Sequence, residues 1–148
     1  MADEDIKAMT ADIETPRFAT TAFTRPPPLA EATVAVVTTA SLHHPDQEDF
    51  GPVDTGYRVL DGSHRDYMVG HWSPNFDTIG FAYDMNVVFP LDRLDELAAG
   101  GTIGRVSGQH LSYAGNQFDL SAVRLDSGPA GATWLRRAGV DVVLLTPV

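Results

Sequence analysis

The side chains best suited to chemistry fall in two stretches. His43 and His44 are adjacent and follow an apolar run, while His64, Arg65, Asp66, His71, Asn75, Asp77 and Asp84 are spread along residues 62–84. Imidazoles and carboxylates of this kind suit general acid–base work or coordination of zinc or a harder metal. Two neighbouring histidines fix no common face for both rings, and no His-x-x-x-His pair falls in a helical pattern, so spacing alone defines no metal centre. The histidine pair reads as a ligand-facing pair beyond a strand end, or as a surface pair with no task. The second group reads as a solvated polar loop, a substrate-binding loop or a set of metal ligands.

Other chemistries are excluded more sharply. The 148 residues contain no cysteine, which removes disulfides, thiolate metal sites and a thiol nucleophile from this stretch. There is no G-x-G-x-x-G after the first strand pattern, no phosphate-binding G-x-x-x-x-G-K-[ST] and no serine elbow. Twenty acidic residues against ten basic ones give a formal charge of −10, and Lys7 is the single lysine. Binding to phosphate backbones or anionic membranes needs clustered positive charge, so neither nucleic acid nor a membrane is expected as a partner. No apolar run is long enough to span a bilayer and the acidic N-terminus is unlike a secretory signal, so a cytoplasmic location is expected.

The elements that must position these groups can be traced along the chain. Residues 1–25 are expected to form a flexible arm, with a short helix over residues 6–13, and Arg25-Pro26-Pro27-Pro28 is stiff and extended. Residues 26–148 are expected to form an α/β unit. Thr33-Val34-Ala35-Val36-Val37-Thr38-Thr39 is apolar on both faces and rich in β-branched residues, the pattern of an interior parallel strand. The polar stretch from residue 40 to 56 carries Pro45, Gly51 and Pro52 and cannot be a regular helix; residues 57–60 read as a short strand. Leu91, Leu94 and Leu97-Ala98 recur at helical spacing after Pro90, and Gly100-Gly101 ends that helix. Residues 102–106 read as a strand, 107–110 as a turn, and 120–137 as helical at both ends with a break at Ser127-Gly128-Pro129. Gly139 caps this segment, and residues 140–146 are expected to be a second buried strand, parallel to the first and beside it. Together these elements predict an incomplete three-layer α/β sandwich with a mostly parallel sheet and long connecting loops.

Four runs carry a resemblance to a known family. Asp84-Met85-Asn86-Val87-Val88-Phe89-Pro90-Leu91-Asp92-Arg93-Leu94 is the most specific, joined by Val34-Ala35-Val36-Val37-Thr38-Thr39, His110-Leu111-Ser112-Tyr113-Ala114-Gly115 and the last ten residues from Gly139 to Val148. From about residue 26 onward the chain resembles the glycine/sarcosine/betaine reductase and D-proline reductase selenoprotein B family. The resemblance implies reductive cleavage of the C–N bond of a small amino-acid-like substrate. A selenol, or a thiol in selenium-free members, attacks the α-carbon while a pyruvoyl group on a partner subunit activates the amine. It also implies other reductase subunits, or further copies of the chain, as partners. His43, His71, Asp77, Asp84, Asn86, Arg93 and Thr146 are the positions expected to bind substrate or shape the site, with His43, His71 and Asp84 facing the nucleophile.

The chain departs from that pattern at one point. The family's selenocysteine or cysteine follows a strand like residues 142–148, and these 148 residues contain neither. The expectation is an N-terminal portion of such a reductase, stopped at a UGA codon directly after Val148, with no catalytic nucleophile and no cofactor of its own. The alternative is a non-catalytic partner-binding subunit or a small-ligand-binding α/β module.

Overall fold

A computed structural model describes residues 8, 17–21, 23–72, 78–115, 117 and 119–148. The expected helix over residues 6–13, most of the N-terminal arm, and Asn75 and Asp77 lie outside the described residues. The core of the fold is one open sheet. Its strands are β1 (Thr33–Thr38), β3 (Tyr57–Asp61), β5 (Arg105–Val106), β6 (Gln109–Tyr113) and β7 (Val142–Thr146), and β2 (Leu42–His43) pairs separately with β4 (Met68–Val69). β1 lies between β7 on one side and β5 followed by β6 on the other, all parallel to it, while β3 runs antiparallel along β6. The two doubly apolar runs are therefore parallel neighbours, in register from Val34 opposite Val142 to Thr38 opposite Thr146.

Alternation along β1 sends its side chains into two cores. Val34 and Val36 join Leu42, Leu60, Val88, Phe89, Leu91 and Leu94, whereas Ala35 joins Leu111 and Leu135, with Val37 packed alongside. Helices cover both faces, which gives the three layers. On the first lies α2 (Leu91–Ala99), preceded by α1 (Ile79–Tyr83) and a 3₁₀ turn, Met85–Val87. Pro90 stands at the start of α2 where no N–H is required, Leu91 and Leu94 are buried, and Gly101 beyond its end takes φ 72°.

The opposite face carries α3 (Gly128–Arg137), with Gly139 at φ 74° behind it. The predicted break at Ser127-Gly128-Pro129 is absent: the chain stays helical from Ser121, widening to a π turn over Val123–Ser127. Pro129 has no N–H for a regular bond to the turn before it, and the wider turn accommodates that loss. The Tyr113 hydroxyl donates to the Ser127 carbonyl at 2.9 Å, tying the wide turn to the sheet. Gly131 lets α3 approach closely, because a Cβ there would stand 2.3 Å from the Tyr113 oxygen.

Two further expectations need correction. Residues 109 and 110 belong to β6 rather than to a turn. The last strand, read as buried, is an edge among the described residues: Val143, Leu144 and Leu145 are 38%, 39% and 68% exposed. α3 packs on Ala35 and Leu111, inward from β7, and leaves that side uncovered.

Candidate functional site

The parallel strands β1, β6 and β7 end together, and a crevice outside the carboxyl ends of such strands is the usual ligand position in open α/β sheets. Threonines bind these ends to one another. The Thr39 hydroxyl accepts the Val148 N–H at 2.8 Å and lies 3.3 Å from the Val148 carbonyl, while Thr39 N–H donates to the Thr146 carbonyl at 3.3 Å. Thr146 in turn donates its hydroxyl to the Val88 carbonyl at 2.8 Å, fastening the turn before α2 to the end of β7.

His71 comes to this edge from the segment after β4. A Cβ placed on Gly115 would stand 2.8 Å from His71 Nε2, 2.9 Å from the Thr39 carbonyl and 3.1 Å from the Val148 carbonyl. Glycine is required there because the imidazole and two strand ends close on its backbone. Burial lowers the pKa of His71 below the ordinary 6.5, so the ring is neutral at pH 7.

Between β1 and β2 the backbone makes a sharp departure. Ser41 is buried with φ 55°, a left-handed conformation that costs a non-glycine residue roughly 1 to 3 kcal/mol. Its N–H donates to Tyr113 and its carbonyl accepts from Gly70, so β6 and the β4 segment hold it on either side.

Neither member of the histidine pair is on the surface. His43 is buried, its Nδ1 3.7 Å from Asp49 and its ring edge-on to Phe50. His44 Nε2 accepts the Asp61 N–H at 3.0 Å, so its proton is on Nδ1, 3.3 Å from Asp66 Oδ1. With both nitrogens engaged, His44 fastens the loop after β3 rather than offering a free base.

The exposed Asp84 and Arg93 and the half-buried Asn86 form a separate group at the start of α2. Asp84 accepts from both the backbone and the side-chain nitrogen of Asn86, which lowers its pKa. Asn86 also bonds Asp92 in both directions, and Arg93 pairs with Glu96. These bonds shape the turn that Thr146 grips, but the described contacts do not bring Asp84 to His71. Among the described residues no three histidine, aspartate or glutamate side chains are grouped to hold a metal ion.

Sequence reasoning missed His110. Its ring is fully buried, and Nδ1 accepts the Val36 N–H at 3.0 Å in the gap between β5 and β6, filling a place in the ladder normally taken by a carbonyl. Phe89 meets the ring edge-on at 5.3 Å, and burial pushes its pKa down to about 4. The signal in the sequence was a lone histidine beside the apolar Leu111, reading as strand rather than turn.

An open, mostly parallel α/β sheet with a histidine at its carboxyl edge places the chain in the α/β class of folds, and that class by itself names no reaction. No protein-family model matches the chain, and no solved structure matches it significantly. The chain is 34% identical over 121 residues to the D-proline reductase subunit gamma of Acetoanaerobium sticklandii, a match covering 80% of this chain and 49% of that protein. The chain belongs to the reductase family that its motifs resemble, the selenoprotein B family of glycine/sarcosine/betaine and D-proline reductases. It spans about half the length of the curated relative it matches. No helix among the described residues is long and apolar enough to cross a membrane.

Proposed function

We propose that this chain forms one half of a cytoplasmic reductase subunit that takes part in reductive C–N cleavage of D-proline, glycine or a methylated glycine. The observation that carries this reading is the 34% identity to D-proline reductase subunit gamma over most of the chain. A selenol or thiol outside these residues would supply the bond to the α-carbon, and a pyruvoyl group on a partner subunit would activate the leaving amine. The cysteine-free chain supplies the frame around them.

The carboxyl edge fits that task. The Thr39 and Thr146 bonds fix where β1 and β7 end, and so where any segment following β7 begins its course. His71, neutral at pH 7, presents an imidazole beside that point and can receive or hand over a proton there. Asp84 and Asn86 set the turn under Thr146, with Arg93 beside them; Asp77 and His43 complete the proposed site-shaping set.

The test is reconstitution. The 148-residue chain alone should give no turnover with D-proline, glycine, sarcosine or betaine and a dithiol, since it has no nucleophile to hold a covalent intermediate. Combined with the unmatched half of the relative and the pyruvoyl subunit, it should release the ring-opened amino acid from D-proline, at a rate lowered at least tenfold by His71→Asn. Turnover by the isolated chain, or none in the reconstituted assembly, would refute the reading.

A further inference from the structure

The last strand has the composition of an inner strand and the position of an outer one. β7 pairs with β1 along its whole length, and among the described residues nothing pairs with its other edge. Natural sheets protect such edges with lysine, proline, bulges or very short strands. β7 has none of these: it reads Val-Val-Leu-Leu-Thr over five residues and pairs without a bulge. Its exposed side chains point both ways, since Leu144 shares a face with Val142 and the first core, and Val143 and Leu145 point to the side of α3. A single covering helix on one face would therefore leave half of the apolar surface bare.

The size of the relative indicates what covers it. The match takes up 49% of D-proline reductase subunit gamma, so that protein carries as much polypeptide again outside the matched region. We propose that a strand from polypeptide equivalent to that unmatched half pairs with the free edge of β7, and that its flanking segments cover Val143, Leu144 and Leu145. β7 then becomes an inner strand, and the carboxyl ends of β1, β6 and β7 gain a neighbouring strand end beside them. The inference rests on family membership and strand geometry, and is independent of the reaction proposed above.

The experiment co-expresses the tagged 148-residue chain with the unmatched half of the A. sticklandii subunit as a separate polypeptide. The two should co-purify, and amide hydrogen exchange over residues 142–146 should slow at least tenfold relative to the chain alone. Leu145→Lys and Val143→Lys should abolish co-purification, whereas Val53→Lys, at an 81% exposed position in a loop far along the chain, should not. Because Leu145 is already 68% exposed, its replacement should leave the circular dichroism of the isolated chain unchanged. Failure to co-purify, co-purification indifferent to both β7 variants, or a homodimer of the chain alone that Leu145→Lys dissociates would each overturn the proposal; the last would assign the edge to a second copy.

Discussion

The ring of His110 makes the stability of this fold depend on pH in a calculable way. The imidazole is buried and its Nδ1 must stay unprotonated to accept the Val36 N–H, and burial holds its pKa at about 4 against an ordinary 6.5. Arg65 opposes protonation further, while the Ser107 carbonyl, Asp95 and Asp61 favour it more weakly. The unfolded chain takes up a proton as the pH falls through about 6.5 and the folded chain does not. Stability from this group is thus complete above that pH and declines as the pH falls toward 4, by roughly 3 kcal/mol in total. Urea unfolding at pH 7 and pH 4 measures the loss in the native chain, to which carboxylates also contribute. His110→Asn isolates the histidine, because its amide oxygen can stand near the place of Nδ1 and accept the same N–H without titrating. The variant should be less stable at pH 7, having lost ring packing against Phe89, yet should lose about 3 kcal/mol less than the native chain on acidification. Equal losses within about 1 kcal/mol would refute the account of a neutral histidine in the β1 ladder.

Other positions give simpler outcomes. Gly131→Ala should cost roughly 1 to 3 kcal/mol by forcing α3 away from Tyr113 and Leu111, read as a lower urea midpoint at unchanged slope. Gly115→Ala should destabilise comparably and also shift the His71 ring resonances in NMR, because the new methyl meets both the imidazole and the strand ends. At Ser41, glycine should be neutral or stabilising and valine should cost at least about 2 kcal/mol, since only the first tolerates φ 55° without strain. Thr146→Val keeps the shape but removes the bond to Val88, and should lower the thermal midpoint by a few degrees, corresponding to about 1 kcal/mol.

The fold was legible where one physical signal dominated. The doubly apolar runs announced β1 and β7 as parallel neighbours, and Pro90, the leucine spacing and the Gly100-Gly101 pair bounded α2. Legibility failed where two signals competed. Proline predicted a break at residue 129, but the helix absorbed it by widening, which no residue pattern reveals. The apolar composition of β7 predicted burial, yet composition records what a strand is suited to and not which neighbours are present. Of the residues that meet at the carboxyl ends of the strands, the resemblance had named His71 and Thr146, whereas Thr39, Ser41 and Gly115 escaped notice because what they do there lies in backbone geometry. His43 and His44 drew attention as a pair, but the fold gives them different neighbours, so adjacency in sequence carried little information about shared work.

The pairing of β1 with β7 also sets a schedule for synthesis. Partners across this ladder are 108 residues apart, and β1 leads the order of strands. At typical translation rates, roughly 5 to 20 s pass between the making of the first strand and of the last. Throughout that interval Val34, Val36 and their neighbours lack the partner that completes one edge of β1, and the ends that Thr39 ties together do not yet exist. Such long-range parallel pairing is intrinsically slow even once the residues are available. The nascent chain should therefore bind holdase chaperones until β7 leaves the ribosome, and ribosome-bound chains halted before residue 142 should remain sensitive to protease across β1.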